Sequence, residues 1–197
     1  MTQRRSLGLT ALTLLTTASL AHAHPGHDAN GLVSGLTHPV TGLDHLLAMV
    51  GVGLLAAGLK RGWMIALPAT FVVFMIAGAA AGVAGLFVPT WLAETGIALS
   101  VFVFGVLMAT GVKLPTPAVA SLVALFAVCH GSAHAAEVPA NGSMVAFFSG
   151  FVFTTIILHA VGIALGVMAG RQKQVTWLRV GGGAIGTIGA LMLIGLL

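Results

Sequence analysis

Two clusters of metal-type ligands interrupt a chain that is otherwise close to pure hydrocarbon. The first reads His38-Pro39-Val40-Thr41-Gly42-Leu43-Asp44-His45, and the second His130-Gly131-Ser132-Ala133-His134-Ala135-Ala136-Glu137. Imidazole with carboxylate is a donor set that divalent cations such as Ni²⁺, Co²⁺ and Zn²⁺ accept. Both clusters lie at the ends of long apolar runs. A central Asp in a membrane helix costs about 2.5–3.5 kcal/mol on insertion scales, and ionisable residues kept against that cost mark functional sites.

In the second cluster His130 and His134 are spaced i, i+4 and share one helix face. Glu137, at i+7 from His130, is expected on that face too. Gly131, Ala133, Ala135 and Ala136 are small and leave room for an ion and a neighbouring helix. The pattern is not H-E-x-x-H: Gly131 follows His130, so the general base of a metalloprotease is missing. A lone membrane histidine reads most simply as a hydrogen-bonded packing residue. Two at ligand spacing, with an acid, favour a metal.

In the first cluster Pro39 suits the first turn of a helix, with His38 just before it. His38, Gly42 and His45 then fall roughly on one face, thinned by Gly42. Asp44 either ligates directly or accepts a hydrogen bond from a ligating imidazole and fixes its tautomer. Helix capping by Thr41 or Asp44 accounts for part of the pattern but not for two histidines.

Further candidates stand apart. His159 falls near the middle of an apolar run and reads as a second ion site, a proton relay or a packing partner. Cys129 neighbours His130 but points to another face. Met49, i+4 from His45, offers a thioether, though methionine in an apolar helix is usually filler. His24-Pro25-Gly26-His27-Asp28 reads either as an extracytoplasmic metal-capturing end, through His24 and His27, or as a solvated tail.

The elements that must position these groups follow from composition. Of 197 residues, 58% are hydrophobic and 6% charged, too few charges to cover a water-facing shell. The fold class is all-α, a polytopic membrane protein. The eight Lys and Arg are scattered rather than clustered, which argues against a nucleic-acid partner. With a single cysteine there is no intramolecular disulfide and no Cys-based zinc knuckle.

Residues 1–23 read as a cleaved signal peptide: Arg4 and Arg5, an apolar stretch from Ser6 to Leu20, then Ala21-His22-Ala23. The alternative is an uncleaved first helix. Residues 24–197 form one membrane domain. A short polar segment from His24 to about Thr37 precedes six apolar runs, the transmembrane helices. They lie at about Gly42–Leu59, Trp63–Leu86, Trp91–Gly111, Pro117–Ala136, Ser143–Gly170 and Trp177–Leu197. Breakers such as Lys60-Arg61-Gly62 and Lys113-Leu114-Pro115-Thr116-Pro117 separate them.

With a cleaved signal the mature N-terminus is periplasmic and the protein sits in a bacterial-type inner membrane. Lys60, Arg61, Lys113, Arg171, Lys173 and Arg179 then face the cytoplasm, as the positive-inside rule requires. Asp28, Asp44, Glu94 and Glu137 fall on or near the outer side and read as a cation-collecting mouth or as acids tolerated there. Gly78/Gly82 and Gly182/Gly186 have the spacing of close helix approach, within the chain or in a homo-oligomer. The first and fourth runs, which carry the clusters, point in opposite directions, as two inverted three-helix halves would.

The two clusters resemble the signatures of the HupE/UreJ family of nickel/cobalt permeases, H-P-x-x-G-x-D-H and F-H-G-x-A-H-G-x-E. Residues 38–45 match the first in full. Residues 129–137 match the second except for Cys129 in place of Phe and Ala135 in place of Gly. The resemblance spans the whole chain. It implies a signal peptide, about six membrane helices, uptake of Ni²⁺ or Co²⁺ (Cu or Zn being further options) and no tightly bound cofactor. The expected metal set is His38, Asp44, His45, His130, His134 and Glu137, with Glu94, His159, His24 and His27 as secondary or pathway residues. The chain carries no P-loop, so transport is expected to be secondary or facilitated rather than ATP-driven, and no enzymatic activity is expected. The competing reading is a haem-binding membrane electron-transfer subunit, with histidines of different spans as axial ligands. Asp44 and Glu137 would add little to such a pocket.

Overall fold

The computed structural model describes residues 31–86, 88–135, 137–138, 142–172 and 175–197. The expected signal peptide and His24 and His27 lie outside the described residues. Seven helices are present among these residues: α1 (Gly31–Thr41), α2 (Leu43–Ala57), α3 (Arg61–Val83), α4 (Thr90–Thr110), α5 (Thr116–Ala135), α6 (Met144–Arg171) and α7 (Val175–Leu193). The last five are each long and apolar enough to cross a membrane, and they follow the expected runs closely. This is an all-α polytopic membrane protein. Its outer surface is apolar, with Ile65, Val73, Leu125 and Phe153 exposed, as a lipid-facing surface requires.

The first span departs from expectation. At 15 residues, α2 rises only about 23 Å, short of a hydrocarbon core of about 30 Å. It is preceded by α1, in the stretch expected to be largely a polar segment, and the two meet at a 76° bend. His38 and Pro39 therefore lie inside α1, near its end, rather than at the start of a single helix. The chemistry of the break is local. Pro39 has no N–H to bond the carbonyl four residues back, which weakens the last turn. The Thr41 hydroxyl donates to the carbonyls of Thr37 and His38, and Gly42 takes an extended conformation (φ −82°, ψ 115°) as the residue before α2.

What stabilises α1 is a smooth strip rather than a greasy one. Gly31, Gly35 and Pro39 recur every four residues and are buried. A Cβ on Gly35 would run into the Phe147 carbonyl of α6. The Thr154 hydroxyl of α6 donates to the Leu36 carbonyl at 2.9 Å, tying the two backbones together. A strip of small residues is invisible to a hydropathy scan, which is why this helix was not expected.

The remaining helices pair just as closely. Gly131 of α5 backs onto the Met75 carbonyl of α3, and Gly105 of α4 onto Gly186 of α7. Gly78 abuts Val128, and Gly182 abuts Met108 and Ala109, so these small-residue faces pack within the chain. Counting α1 with α2 as one span, the tight pairs are second with fourth, first with fifth and third with sixth. Exchanging the first three spans for the last three maps that set onto itself, the pattern of two inverted halves. The core they enclose is aromatic and sulfur-rich: Phe71, Phe104, Phe147, Phe151, Met49, Leu67 and Met75 are fully buried.

Candidate metal centre

Four histidine rings meet in this core. His38 comes from the end of α1, His45 from the first turn of α2, and His130 and His134 from the last turns of α5. The His45 ring centroid lies 5.4 Å from that of His38, 5.2 Å from His130 and 4.6 Å from His134, while His38 and His134 are 4.9 Å apart. The bend at Gly42 makes this possible. It lets His38 and His45 approach from two helix axes instead of from one face of a straight helix. One ring nitrogen from each of His38, His45 and His134 lies within 4.8 Å of the other two.

Three of the rings are held in the same manner. The Nδ1 of His45 lies 2.6 Å from Asp44 Oδ1, the Nδ1 of His134 lies 2.6 Å from Glu137 Oε2, and the Nδ1 of His130 lies 2.9 Å from the Phe126 carbonyl. A carbonyl oxygen and an ionised carboxylate only accept, so in a neutral ring the proton sits on Nδ1 and Nε2 carries a lone pair. All three Nε2 atoms are buried and have no hydrogen-bond partner among the described residues. A buried lone pair left without a donor is costly, and fixing Nδ1 while freeing Nε2 is how proteins prepare an imidazole for a cation.

The carboxylates hydrogen-bond these rings. Asp44 Oδ1 accepts from both the backbone N–H (2.8 Å) and the ring of His45. The ring contact is of the hydrogen-bonded kind that the sequence offered as one of two roles for Asp44. Thr41 does not cap α2, because its hydroxyl bonds back into α1. Glu137 lies beyond α5 (Thr116–Ala135), with its N–H donating to the His134 carbonyl at 3.1 Å and its side chain against the His134 ring. There Glu137 Oε2 also meets His38 Nε2 at 3.1 Å, so one oxygen joins α1 to the end of α5. Burial would raise the Glu137 carboxyl, but hydrogen bonds from His134 and His38 outweigh it and hold the group below the usual carboxylate range.

Phe151 of α6 packs against His134 at 4.0 Å, and Phe147 lies 6.3 Å from His38. A cavity of about 550 Å³ beside the cluster is lined by Asp44, His45, Glu94, Ser132 and Glu137 among apolar residues such as Leu43 and Ile97. Glu94 is thus outside the histidine cluster but shares its antechamber. His159 is also outside it, buried on α6 beside Phe71. Cys129 faces Gly96 of α4, and the Met49 sulfur accepts the Thr155 hydroxyl at 3.4 Å. Sequence reasoning missed the aromatic partners Phe71, Phe147 and Phe151. Phe147 and Phe151 show a four-residue spacing in α6, which any packed helix face shows, and Phe71 in α3 carries no such aromatic spacing.

The profile described as "HupE / UreJ protein" matches residues 12–192. The chain belongs to the HupE/UreJ family. It is 42% identical over 189 residues to Protein HupE of Rhizobium leguminosarum bv. viciae, covering 94% of this chain and 96% of that one. No solved structure matches. In this family member the histidines of the two clusters sit on two separate supports, the bent α1–α2 pair and the end of α5.

Proposed function

We propose that this HupE/UreJ protein imports a divalent transition metal, nickel or cobalt, from periplasm to cytoplasm as a secondary transporter or facilitator. The ion binds His38, His45, His130 and His134, with Asp44 and Glu137 setting the rings and their charge. The observation that carries this reading is the set of three buried imidazoles whose Nδ1 atoms are occupied and whose Nε2 lone pairs have no partner. Imidazole-rich sites suit Ni²⁺, Co²⁺, Cu²⁺ and Zn²⁺ and disfavour Mg²⁺ and Ca²⁺. The acidic cavity supports the same reading, because carboxylates around a low-dielectric mouth concentrate cations. The distribution of Lys and Arg supports a periplasmic mature N-terminus after signal cleavage and an inner-membrane location.

Haem binding fits the geometry less well. Rings with centroids 4.6–5.4 Å apart are in contact with one another, so no macrocycle passes between them.

The test is accumulation of radiolabelled nickel by cells expressing the protein, with Co²⁺, Zn²⁺ and copper as competitors. His45→Ala and His134→Ala are expected to abolish accumulation while the protein still reaches the membrane. Unchanged accumulation in both would remove the mechanism.

A further inference from the structure

His159 is buried, and neither of its ring nitrogens has a hydrogen-bond partner among the described residues. In the neutral ring one of those nitrogens carries a proton and the other a lone pair, so the ring holds unused polar capacity in an apolar helix. Its position relative to the cluster is fixed by two helices. On α6, Phe151 touches His134, Thr155 follows one turn later and His159 one turn after that. On α2, His45 is followed at the same intervals by Met49 and Gly53.

The layers match across the seam between α2 and α6. The Thr155 hydroxyl donates to the Met49 sulfur in the middle layer, and the His159 backbone carbonyl abuts Gly53 in the inner one. Eight residues of helix place His159 about 12 Å deeper than the Phe151–His45 layer. Between the two levels stands Phe71 of α3. Its ring lies 5.2 Å from His130 and 5.1 Å from His159, edge-on to both.

We propose that His159 is a second, inner ion station, reached from the histidine cluster past the Phe71 ring, and that Phe71 with the Met49–Thr155 pair forms the constriction between the two. This rests on the import reading above. A relay site must hold the ion weakly enough to release it, which suits one imidazole better than a second full cage. An apolar ring at the constriction keeps water and protons from following the ion when the stations are not exchanging it.

The test uses the purified full-length protein with Co²⁺ as probe, and the same protein in proteoliposomes. In a Cys129→Ser background, His159→Cys is expected to show a cobalt–thiolate charge-transfer band on loading, in addition to the cobalt absorption of the outer cluster. His159→Ala is expected to lower metal flux by about tenfold while leaving cobalt affinity at the cluster within about twofold. Parental flux in His159→Ala, or cobalt absorption of the cluster with no thiolate band in His159→Cys, overturns the inner station and leaves the cluster standing. Absence of cobalt binding in the unaltered protein overturns both.

Discussion

Asp44 and His45 are neighbours in sequence, and the Asp44 carboxylate folds back to hold the His45 ring, Oδ1 to Nδ1 at 2.6 Å. The same oxygen accepts the His45 backbone N–H. A carboxylate in the first turn of α2 also sits where the helix dipole favours negative charge. Two adjacent residues thus supply an anion, an oriented imidazole and a helix start in one unit.

Replacing that anion by an amide tests its function. Asp44→Asn keeps the size and one acceptor but removes the charge and allows the other tautomer. Metal affinity is expected to fall roughly 10- to 100-fold, the usual effect of losing a hydrogen-bonded carboxylate behind a ligating imidazole. Isothermal titration with Ni²⁺ on the purified variant measures it. An unchanged affinity would show that the pair does not serve metal binding.

Two glycines of the first span separate site geometry from stability. A Cβ at Gly42 would lie 2.9 Å from Asp44 Oδ1 and 3.0 Å from His45 Nδ1, both side-chain atoms that can move aside. Gly42→Ala is expected to weaken nickel binding with little change in melting temperature. A Cβ at Gly35 would strike the Phe147 backbone, which cannot move aside cheaply. Gly35→Ala is expected to destabilise the protein by about 1–3 kcal/mol through overpacking. Thermal denaturation monitored by size-exclusion chromatography distinguishes the two.

Glu137 couples two histidines that lie far apart in sequence. Because His38 and His134 share its Oε2, His38→Ala and Glu137→Gln are expected to be non-additive in nickel affinity, with a coupling of about 0.5–3 kcal/mol. A double-mutant cycle by titration measures it. Strict additivity would mean that the His38–Glu137 contact contributes nothing to binding.

Acid should impair binding through the imidazoles. Glu137 has its carboxyl held below the usual range in the folded protein. Its stabilising contribution is therefore present above the unfolded carboxylate value of about 4.3 and lost as pH falls through the lower folded value. Between pH values of about 5 and 8 it stays charged, so it contributes no pH dependence in that window. A ligating imidazole must be neutral, so nickel affinity is expected to fall once acid protonates the cluster. Isothermal titration with Ni²⁺ over a pH series measures it, and affinity that rises on acidification would contradict the sign.

Much of the plan is written locally. The i, i+4 spacing of His130 and His134 needs only a helix to bring the rings to one face, and five of the six spans follow directly from apolar length. The pairing of Asp44 with His45 is available to adjacent residues and was foreseeable as one of two roles. Glu137 was expected on the face of His130 and His134, and its carboxylate lies 2.6 Å from the His134 ring. Its bond to His38 joins residues 99 apart, which helical spacing says nothing about.

What the sequence determined by itself is the inventory and its cost: imidazoles and acids retained in apolar runs, in an order that two helical spacings already make chemical. Helix periodicity and hydropathy are properties of neighbouring residues, so they survive without knowledge of the fold. Only the tertiary structure decided that the first span breaks at Gly42, that α1 is held by a glycine strip against Phe147, and that Phe71 stands between His130 and His159. Those features arise from backbones pressed together across the bundle. Small residues permit such approach without announcing which helix they approach, because a missing side chain carries no hydropathy signal.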